Sequence, residues 1–154
     1  MAHTFDTSDM GRCPFMPVFG APALSMERGD GTEVWDTSGK RYLDFLTGLA
    51  VCSLGHAHPV VADAICRQAT TLLHVSNFFT NPQATAAAVK INELLEDATG
   101  HAGQVFFTNS GAESNECALK LARKWGGRGR HVVVSTLGSF HGRTLASLAA
   151  TGQP

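Results

Sequence analysis

The stretch that decides the fold is residues 105–125, which read VFFTNSGAESNECALKLARKW. Val105–Phe107 is a continuous apolar run, as expected of a strand that is buried on both faces. Ser110 begins an S-x-x-E capping box, in which its side chain accepts from the Glu113 amide and Glu113 reaches back to the Ser110 amide. Apolar residues at helical spacing follow and end at Gly126. The stretch therefore predicts a buried strand that leads directly into a helix.

A second apolar run, His131–Ser135, follows this helix and predicts another buried strand. The two strands and the helix form a β-α-β unit, which within one sheet is parallel and right-handed in nearly all cases. Because the carboxyl ends of parallel strands meet at one edge, we expect the Ser110 loop and Phe140–Arg143 to line one crevice. Open α/β sheets place their ligands in such a crevice.

The residues at this edge offer three kinds of contact. The free amides and positive dipole end near Ser110 suit a phosphate, and Gly111 keeps the backbone bare there. Phe140 offers a flat face to an aromatic ligand, and Arg143 offers a fork to a carboxylate. His141 is placed to hydrogen-bond a ligand, with a structural role in the loop as the alternative. An ordinary strand-to-helix corner that binds nothing, with Phe140 as a core aromatic, is the alternative for the whole set.

The upstream half of the chain predicts a small β-meander followed by two helices. Its strand-like runs and turns are Leu24–Glu27, Gly29–Gly31, Glu33–Trp35, Asp36–Gly39 and Arg41–Phe45. One helix begins at Pro59, and a second is capped by Asn81 and ends before Gly100. We expect an irregular arm over residues 1–23, where prolines are frequent, and a loop over residues 46–58.

Composition excludes several classes of protein. The 154 residues include 12 Lys+Arg and 13 Asp+Glu, a near balance that argues against nucleic-acid binding through a general basic field. At 44% hydrophobic and 16% charged residues the chain is too apolar to be disordered. No apolar run approaches the ~18 residues of a membrane span, and no signal or transit peptide is expected. Four cysteines without zinc spacing are expected to be reduced thiols, so we expect a cytoplasmic protein with no membrane partner.

Three motifs of other functions are absent or better explained in another way. No G-x-x-x-x-G-K-[ST] sequence is present, so a Walker-type nucleotide site is not expected. The basic run Gly126–Arg130 is interpreted as a solvated turn rather than as a nucleic-acid segment. His56 and His58 lack a third ligand at suitable spacing, so no metal site is expected.

As a set, the motifs of this chain resemble the class III aminotransferases, which use pyridoxal phosphate. The matching segments are Val34–Asp36, Gly39–Phe45, Leu54–Pro59, His74–Asn77, Thr80–Asn81, Phe107–Glu116, Lys120–Arg123, Phe140–Thr144 and Thr151–Pro154. The resemblance implies an α/β fold of the aspartate aminotransferase-like fold type I. It implies an N-terminal arm and β-meander of a small domain over residues 1–48. Residues 49–154 are then the first, incomplete part of a large cofactor-binding domain.

The resemblance also implies pyridoxal 5'-phosphate as the cofactor. Gly111 and Ala112 match the pair whose amides hold the cofactor phosphate, and Phe140 matches the aromatic that stacks on the pyridine ring. Arg143 matches a residue that meets the substrate, and Ser114 stands where the family commonly has Ala. The candidate contacts are thus Ser110, Gly111, Ala112, Phe140 and His141 for the cofactor and Arg143 for the substrate.

Within the family the motifs are most similar to the type that transfers an amino group between N2-acetylornithine and 2-oxoglutarate in arginine biosynthesis. Leu49 stands where the ornithine type usually has Tyr. The 4-aminobutyrate, ornithine and succinylornithine types remain as alternatives, as does a noncatalytic remnant that binds a phosphorylated ligand. The resemblance implies a homodimer for the full-length protein.

The lysine that the chemistry requires is expected beyond position 154. The family joins the cofactor aldehyde to a lysine as a Schiff base and places an acid on the pyridine nitrogen, both well after this point. None of the four lysines follows a strand in that context; they are Lys40, Lys90, Lys120 and Lys124. We therefore expect a truncated protein with no catalytic residue of its own. The isolated chain is expected to be poorly stable and inactive, because its sheet would keep an unpaired edge and an uncovered apolar face.

Overall fold

The computed structural model describes Phe15, Met16, residues 18–20 and residues 22–153. They form two compact units, one that extends to Ser76 and one that begins at Asn77. Most of the predicted arm over residues 1–23 lies outside the described residues, and so does Cys13. Cys52, Cys66 and Cys117 are free thiols.

The first unit contains a three-stranded antiparallel sheet, which confirms the predicted β-meander. Its strands, in the order β1-β2-β3, are β1 (Met26–Asp30), β2 (Glu33–Asp36) and β3 (Arg41–Leu43). Arg28 lies opposite Trp35 with its guanidinium carbon 3.5 Å from the ring centroid, so a cation–π contact joins β1 to β2. Val34 lies opposite Tyr42 between β2 and β3.

The predicted boundaries of β1 are wrong by two residues at its start and by three at its end. The strand begins at Met26 rather than Leu24 and continues through Gly29 and Asp30, which were expected to turn. Because Asp30 pairs with Glu33, only two residues connect the strands, as in a tight hairpin. Glycine fits position 29 because a Cβ there would lie 2.6 Å from the His56 side chain.

The carboxylate of Asp36 holds the turn between β2 and β3. It accepts hydrogen bonds from the Ser38 hydroxyl at 2.6 Å, the Ser38 amide at 2.9 Å, the Lys40 amide at 3.0 Å and the Tyr42 hydroxyl at 2.7 Å. These donors, with the Ser38 and Tyr42 hydroxyls as the largest causes, lower the pKa of Asp36 from 3.8 to about 2. The Asp36 carboxylate in turn raises the pKa of Tyr42.

Residues 46–58 are not purely a loop, because they include a one-turn element α1 (Thr47–Ala50). Its residues all have positive φ, from +49° to +64°, so the turn is left-handed. The Asp44 carboxylate supports it by accepting from the Leu46 amide at 2.9 Å and the Thr47 amide at 2.8 Å. Asp44 also lies 2.6 Å from His56 Nε2, and this contact is the largest cause of its lowered pKa.

The two upstream helices form where their sequence signals predict them. They are α2 (Pro59–Thr71), with Pro59 at its first position, and α3 (Pro82–Thr99). The Asn81 side chain accepts from the Ala84 amide at 2.9 Å and caps α3. Gly100 closes the helix with a φ of +73°, a left-handed value that glycine adopts without strain.

The second unit continues with α4 (Gly111–Gly126), as predicted, and with α5 (Leu145–Ala150), which the sequence did not reveal. These two helices contact each other. Their contact contains Ser147, which is 0% exposed, whereas no hydrophobic side chain of the described residues is buried.

The two buried strands predicted around α4 are not formed. No described segment pairs with Val105–Phe107 or His131–Ser135. Val105 is half-buried and the other side chains are exposed, at 66% for Phe106 and 91% for Val134. A strand of a parallel sheet needs hydrogen-bonded neighbours and helices over its faces, and no described residue supplies those neighbours. The predicted β-α-β unit is thus represented by its helix alone.

We predict that Tyr42→Phe raises the midpoint at which the Asp36 carboxyl titrates. The substitution removes the phenolic hydrogen bond that favours the charged carboxylate, so the midpoint should rise from about 2 toward 3.8. NMR of the carboxyl carbon in both proteins measures this shift directly.

Asp44 serves as the internal control, because its partners are His56, Leu46 and Thr47 and its titration should not move. Since the pKa of Asp36 is depressed in the folded state, its contribution is present at neutral pH and is lost as the pH falls through about 2. An unchanged Asp36 midpoint in Tyr42→Phe would contradict the hydrogen bond.

Candidate functional site

The candidate site is built on the first turn of α4. Ser110 has extended backbone angles, and its side chain accepts from the Glu113 amide at 3.2 Å, which makes it the N-cap. Gly111 and Ala112 are the first helical residues, so their amides have no acceptor within the helix. A Cβ at Gly111 would meet nothing within 4 Å, so the space beside this backbone is open.

One half of the predicted capping box differs in the structure. The Glu113 carboxylate accepts from the Asn109 amide at 2.6 Å and not from the Ser110 amide. The loop is therefore fixed one residue further from the helix than expected. A negative side chain remains in the first turn of α4, where the helix dipole favours it.

Ser114 joins the end of the preceding segment to the helix. Its hydroxyl lies 2.5 Å from the Thr108 hydroxyl and donates to the Ser110 carbonyl at 3.2 Å. Thr108 also donates to the Ser110 carbonyl at 3.2 Å. Both hydroxyls therefore hold the backbone of the cap residue at its carbonyl oxygen.

The segment Phe140–Arg143 lies against the first turns of α4. The Asn115 side chain donates to the His141 carbonyl at 2.7 Å, and the His141 amide donates to the Thr151 hydroxyl at 3.0 Å. These bonds fix the main chain of His141 from both sides.

Gly142 makes the closest approach between the two segments. It is buried and has a φ of +130°, and a Cβ at this position would lie 2.7 Å from the Cβ of Ala112. Only a glycine allows the chain to pass this close to the helix with this backbone conformation. The requirement places the residues on either side of Gly142 next to the α4 N-terminus.

Phe140 and Arg143 interact with each other at the edge of this segment. The guanidinium carbon lies 5.1 Å from the ring centroid, within the range of a cation–π contact. Phe140 is 52% exposed, so half of its surface remains open. An aromatic ring and a guanidinium thus lie together in the segment whose Gly142 packs against Ala112.

The structure brings the two predicted segments together, although by a different route. The sequence predicted that a shared sheet edge would align them, whereas a direct contact between α4 and the Phe140–Arg143 segment does so. The individual roles assigned to Ser110, Gly111, Ala112, Phe140, His141 and Arg143 stay predictions.

Four polar residues of this contact were missed by the sequence analysis: Asn115, Glu116, Ser147 and Thr151. A signal for two of them exists. Asn115 and Glu116 follow Gly111 and Ala112 by four residues and so share their helix face. An acid in the second turn is also too far along α4 to be explained by the helix dipole alone.

A separate cleft of about 970 Å³ lies at the other end of α4. Its lining includes Phe106, Lys120, Lys124, Arg128 and Arg130, and it includes none of the predicted site residues. In the described part of the chain no three His, Cys, Asp or Glu side chains are grouped to hold a metal ion. No described helix is both long and apolar enough to cross a membrane.

Comparison with known proteins gives the family. The sequence profile of the aminotransferase class III family matches residues 18–154. The chain belongs to the class III aminotransferases. This confirms the resemblance found in the motifs, and the solved structures that the chain superposes on confirm the predicted fold class.

Several relatives carry more specific names. Acetylornithine aminotransferase of Streptomyces coelicolor is 50% identical over 139 residues, which are 90% of this chain and 33% of that protein. The crystal structure of N-acetylornithine aminotransferase from Stenotrophomonas maltophilia K279a superposes with a TM-score of 0.70 at 38% identity, covering 78% of this chain and 33% of that one.

A third relative is the ornithine aminotransferase of Toxoplasma gondii, crystallised in the presence of oxidised glutathione, whose active site holds PLP at partial occupancy. It superposes with a TM-score of 0.78 at 30% identity and covers 96% of this chain and 36% of that one. The chain spans about a third of the length of the curated relatives it matches.

We predict that Gly142→Ala displaces the Phe140–Arg143 segment from α4. The new methyl would meet the Ala112 side chain and would also disfavour the positive φ. Overpacking costs about 1–3 kcal/mol. Every 1.4 kcal/mol is about a tenfold change in an opening equilibrium, so amide hydrogen exchange over residues 139–152 should accelerate by about tenfold or more.

Gly129→Ala is the matched control for backbone strain. Gly129 also has a positive φ, +89°, but a Cβ there would meet nothing within 4 Å. Its substitution should leave exchange over residues 139–152 unchanged. Equal acceleration in the two variants would show that close packing on Ala112 does not hold the segment.

Proposed function

We propose that this chain forms the phosphate- and ring-binding part of an aminotransferase that uses pyridoxal 5'-phosphate. Its proposed reaction is amino transfer between N2-acetylornithine and 2-oxoglutarate. The observation that carries the proposal is the close approach of Gly142, in the segment that holds Phe140 and Arg143, to Ala112 in the first turn of α4. The names of the relatives in the same family support the choice of substrate.

The α4 N-terminus fits the phosphate end of the cofactor. The amides of Gly111 and Ala112 would donate to phosphate oxygens, and the dipole of α4, a helix of 16 residues, favours the negative charge. The open space at Gly111 leaves room for the phosphate, which a larger side chain would occupy. Ser110 keeps these amides oriented by capping the turn behind them.

The neighbouring segment fits the ring and the substrate. Phe140 would lie on a face of the pyridine ring, with His141 beside it, and Arg143 would form a two-pronged contact with a substrate carboxylate. The contact between Arg143 and Phe140 keeps the guanidinium beside the ring on which the pyridine ring would lie. When bound, the cofactor supplies the electron sink that amino transfer requires.

The proposal assigns no catalytic lysine to this chain. Lys120 and Lys124 lie on α4 roughly 13 Å and 20 Å along the helix axis from Gly111, at a rise of about 1.5 Å per residue. Lys90 is paired with Glu93 at 3.0 Å, and Lys40 lies 5.1 Å from the Tyr42 ring centroid. We extend the proposal to a cytoplasmic homodimer that acts in arginine biosynthesis, as the motif resemblance implies.

We predict that the 154-residue chain binds pyridoxal 5'-phosphate reversibly and that Ser110→Ala weakens this binding. Loss of a serine N-cap costs about 1 kcal/mol. Because the cap orients the amides that would bind the phosphate, we expect the dissociation constant to rise about fivefold. Titration followed by absorbance and by induced circular dichroism measures the constant for both proteins.

Asn81→Ala is the matched control, because it removes the same kind of cap from α3. It should leave the dissociation constant unchanged. Inorganic phosphate that binds as tightly as the cofactor would favour the noncatalytic phospholigand remnant, since the ring would then add nothing. No binding of either compound would contradict the proposed site.

We predict that the 154-residue chain does not convert N2-acetylornithine and 2-oxoglutarate. Treatment with borohydride in the presence of pyridoxal 5'-phosphate should leave no lysine specifically modified, as mass spectrometry of the peptides would show. Conversion by the purified chain, or one dominant modified lysine, would refute the assignment of the catalytic lysine to another part of the protein.

A further inference from the structure

The carboxylate of Glu116 reaches from α4 to the start of α5. Its Oε1 atom accepts from the Thr144 hydroxyl at 2.6 Å, from the Ala146 amide at 2.9 Å and from the Ser147 amide at 3.2 Å. The partners lie 28 to 31 residues further along the chain. One side chain of α4 therefore satisfies two of the amides that α5 leaves without an acceptor.

This arrangement replaces the usual local cap of α5. Thr144 is the N-cap residue, a position where a threonine hydroxyl ordinarily accepts from an amide of its own helix. Here the Thr144 side chain makes no such bond and donates to Glu116 instead. A local cap would stabilise α5 and leave it free to move as a unit. A cap supplied by α4 fixes the position of α5 against α4.

The contact between α4 and α5 also supports the Phe140–Arg143 segment, through Ser147 and Thr151. Ser147, which is fully buried, donates from its hydroxyl to the Ala112 carbonyl at 3.0 Å. The Thr151 hydroxyl accepts from the His141 amide and lies 2.9 Å from the Ser147 carbonyl. The Thr151 hydroxyl therefore holds the segment at the His141 amide. The hydrogen bond from Thr144 to Glu116 holds the chain immediately after Arg143.

We propose that Glu116 is a positioning residue, which holds Phe140 and Arg143 where the cofactor ring and the substrate carboxylate meet them. The inference rests on the proposed function for the identity of those ligands. In structural terms, the proposal is that the Glu116 carboxylate on α4 keeps residues 140–147 in one conformation. Hydrogen bonds to a charged acceptor are about twice as strong as those between neutral groups, and the N-terminus of α5 favours the negative charge.

The charge on Glu116 gives the arrangement a pH dependence. The Thr144 hydroxyl, the Ser147 and Ala146 amides and the positive charge of Lys120 lower the pKa of Glu116. The carboxylate therefore contributes at neutral pH, and its contribution is lost as the pH falls through this lowered pKa. Lys120 is the charged neighbour on α4, α5 carries no titratable side chain, and the preceding segment carries His141 and Arg143.

Amide hydrogen exchange of the 154-residue chain tests the proposal in Glu116→Ala, Glu116→Gln and Thr144→Val. The decisive reporter is the His141 amide, because its acceptor is Thr151 rather than Glu116. If Glu116 positions the segment, Glu116→Ala should accelerate exchange at His141 as well as at Ala146 and Ser147 by about tenfold, since bonds to charged acceptors are lost.

The other variants separate charge from shape. Glu116→Gln keeps an acceptor oxygen and should show an intermediate effect without the acid-dependent acceleration of the natural protein. Thr144→Val removes one of the three donors and should also accelerate His141, to a smaller extent. Glu93→Gln is the matched control, because it removes a carboxylate of the same unit whose partner is Lys90, and it should change none of these amides.

Acceleration confined to Ala146 and Ser147 would overturn the proposal, because Glu116 would then only cap α5. Equal acceleration in α3 would also overturn it, since the effect would be general unfolding. Addition of pyridoxal 5'-phosphate to the natural chain separates the two proposals. One outcome is that Glu116→Ala accelerates exchange at the His141 amide while the cofactor slows exchange at neither the Gly111 nor the Phe140 amide. In that case the positioning role stands and the proposed cofactor site fails.

Discussion

A polar contact between α4 and α5 places the candidate site. Ser147 is fully buried in that contact, and its hydroxyl bonds to the Ala112 carbonyl while the Glu116 carboxylate takes up the amides of α5. Buried polar groups require partners with defined directions, whereas apolar contacts tolerate sliding. A contact built in this way therefore fixes the distance between the α4 N-terminus and Phe140 more narrowly than hydrophobic packing of similar size.

The first unit relies on carboxylates in the same manner. Asp36 holds the turn before β3 through four hydrogen bonds, and Asp44 holds the left-handed turn of α1 and the His56 ring. In each case the carboxylate accepts from two amides of a turn and from one or more side chains. Because no hydrophobic side chain of the described residues is buried, such local bonds carry an unusual share of the order in this chain.

Local signals in the sequence predicted the local elements well. Asn81 with Pro82 marks the start of α3, Ser110 marks the start of α4, and Gly100 marks the end of α3, because each acts within one turn of its own position. The boundary of β1 was missed because the turn that defines it depends on the pairing of Asp30 with Glu33. The candidate site was predicted in its residue types, but not in its supports. Glu116 and Thr151 support the site through hydrogen bonds to residues that the fold brings near. No local pattern in the sequence therefore marks them.

The two strands that did not form show that an apolar run alone does not predict a strand when its neighbours are distant in the chain. Their apolar composition predicted burial, but Val105 is only half-buried and residues 106, 107 and 131–135 are exposed. A helix closes its hydrogen bonds within four residues, but a parallel strand depends on neighbours that come from far along a chain. Relatives about three times as long share the family of this chain. The α4 N-terminus and the Phe140–Arg143 segment nevertheless lie together without that sheet, since the Asn115 and Gly142 contacts are made directly between them. The geometry proposed to hold the cofactor is thus a property of α4 and the segment that lies on it.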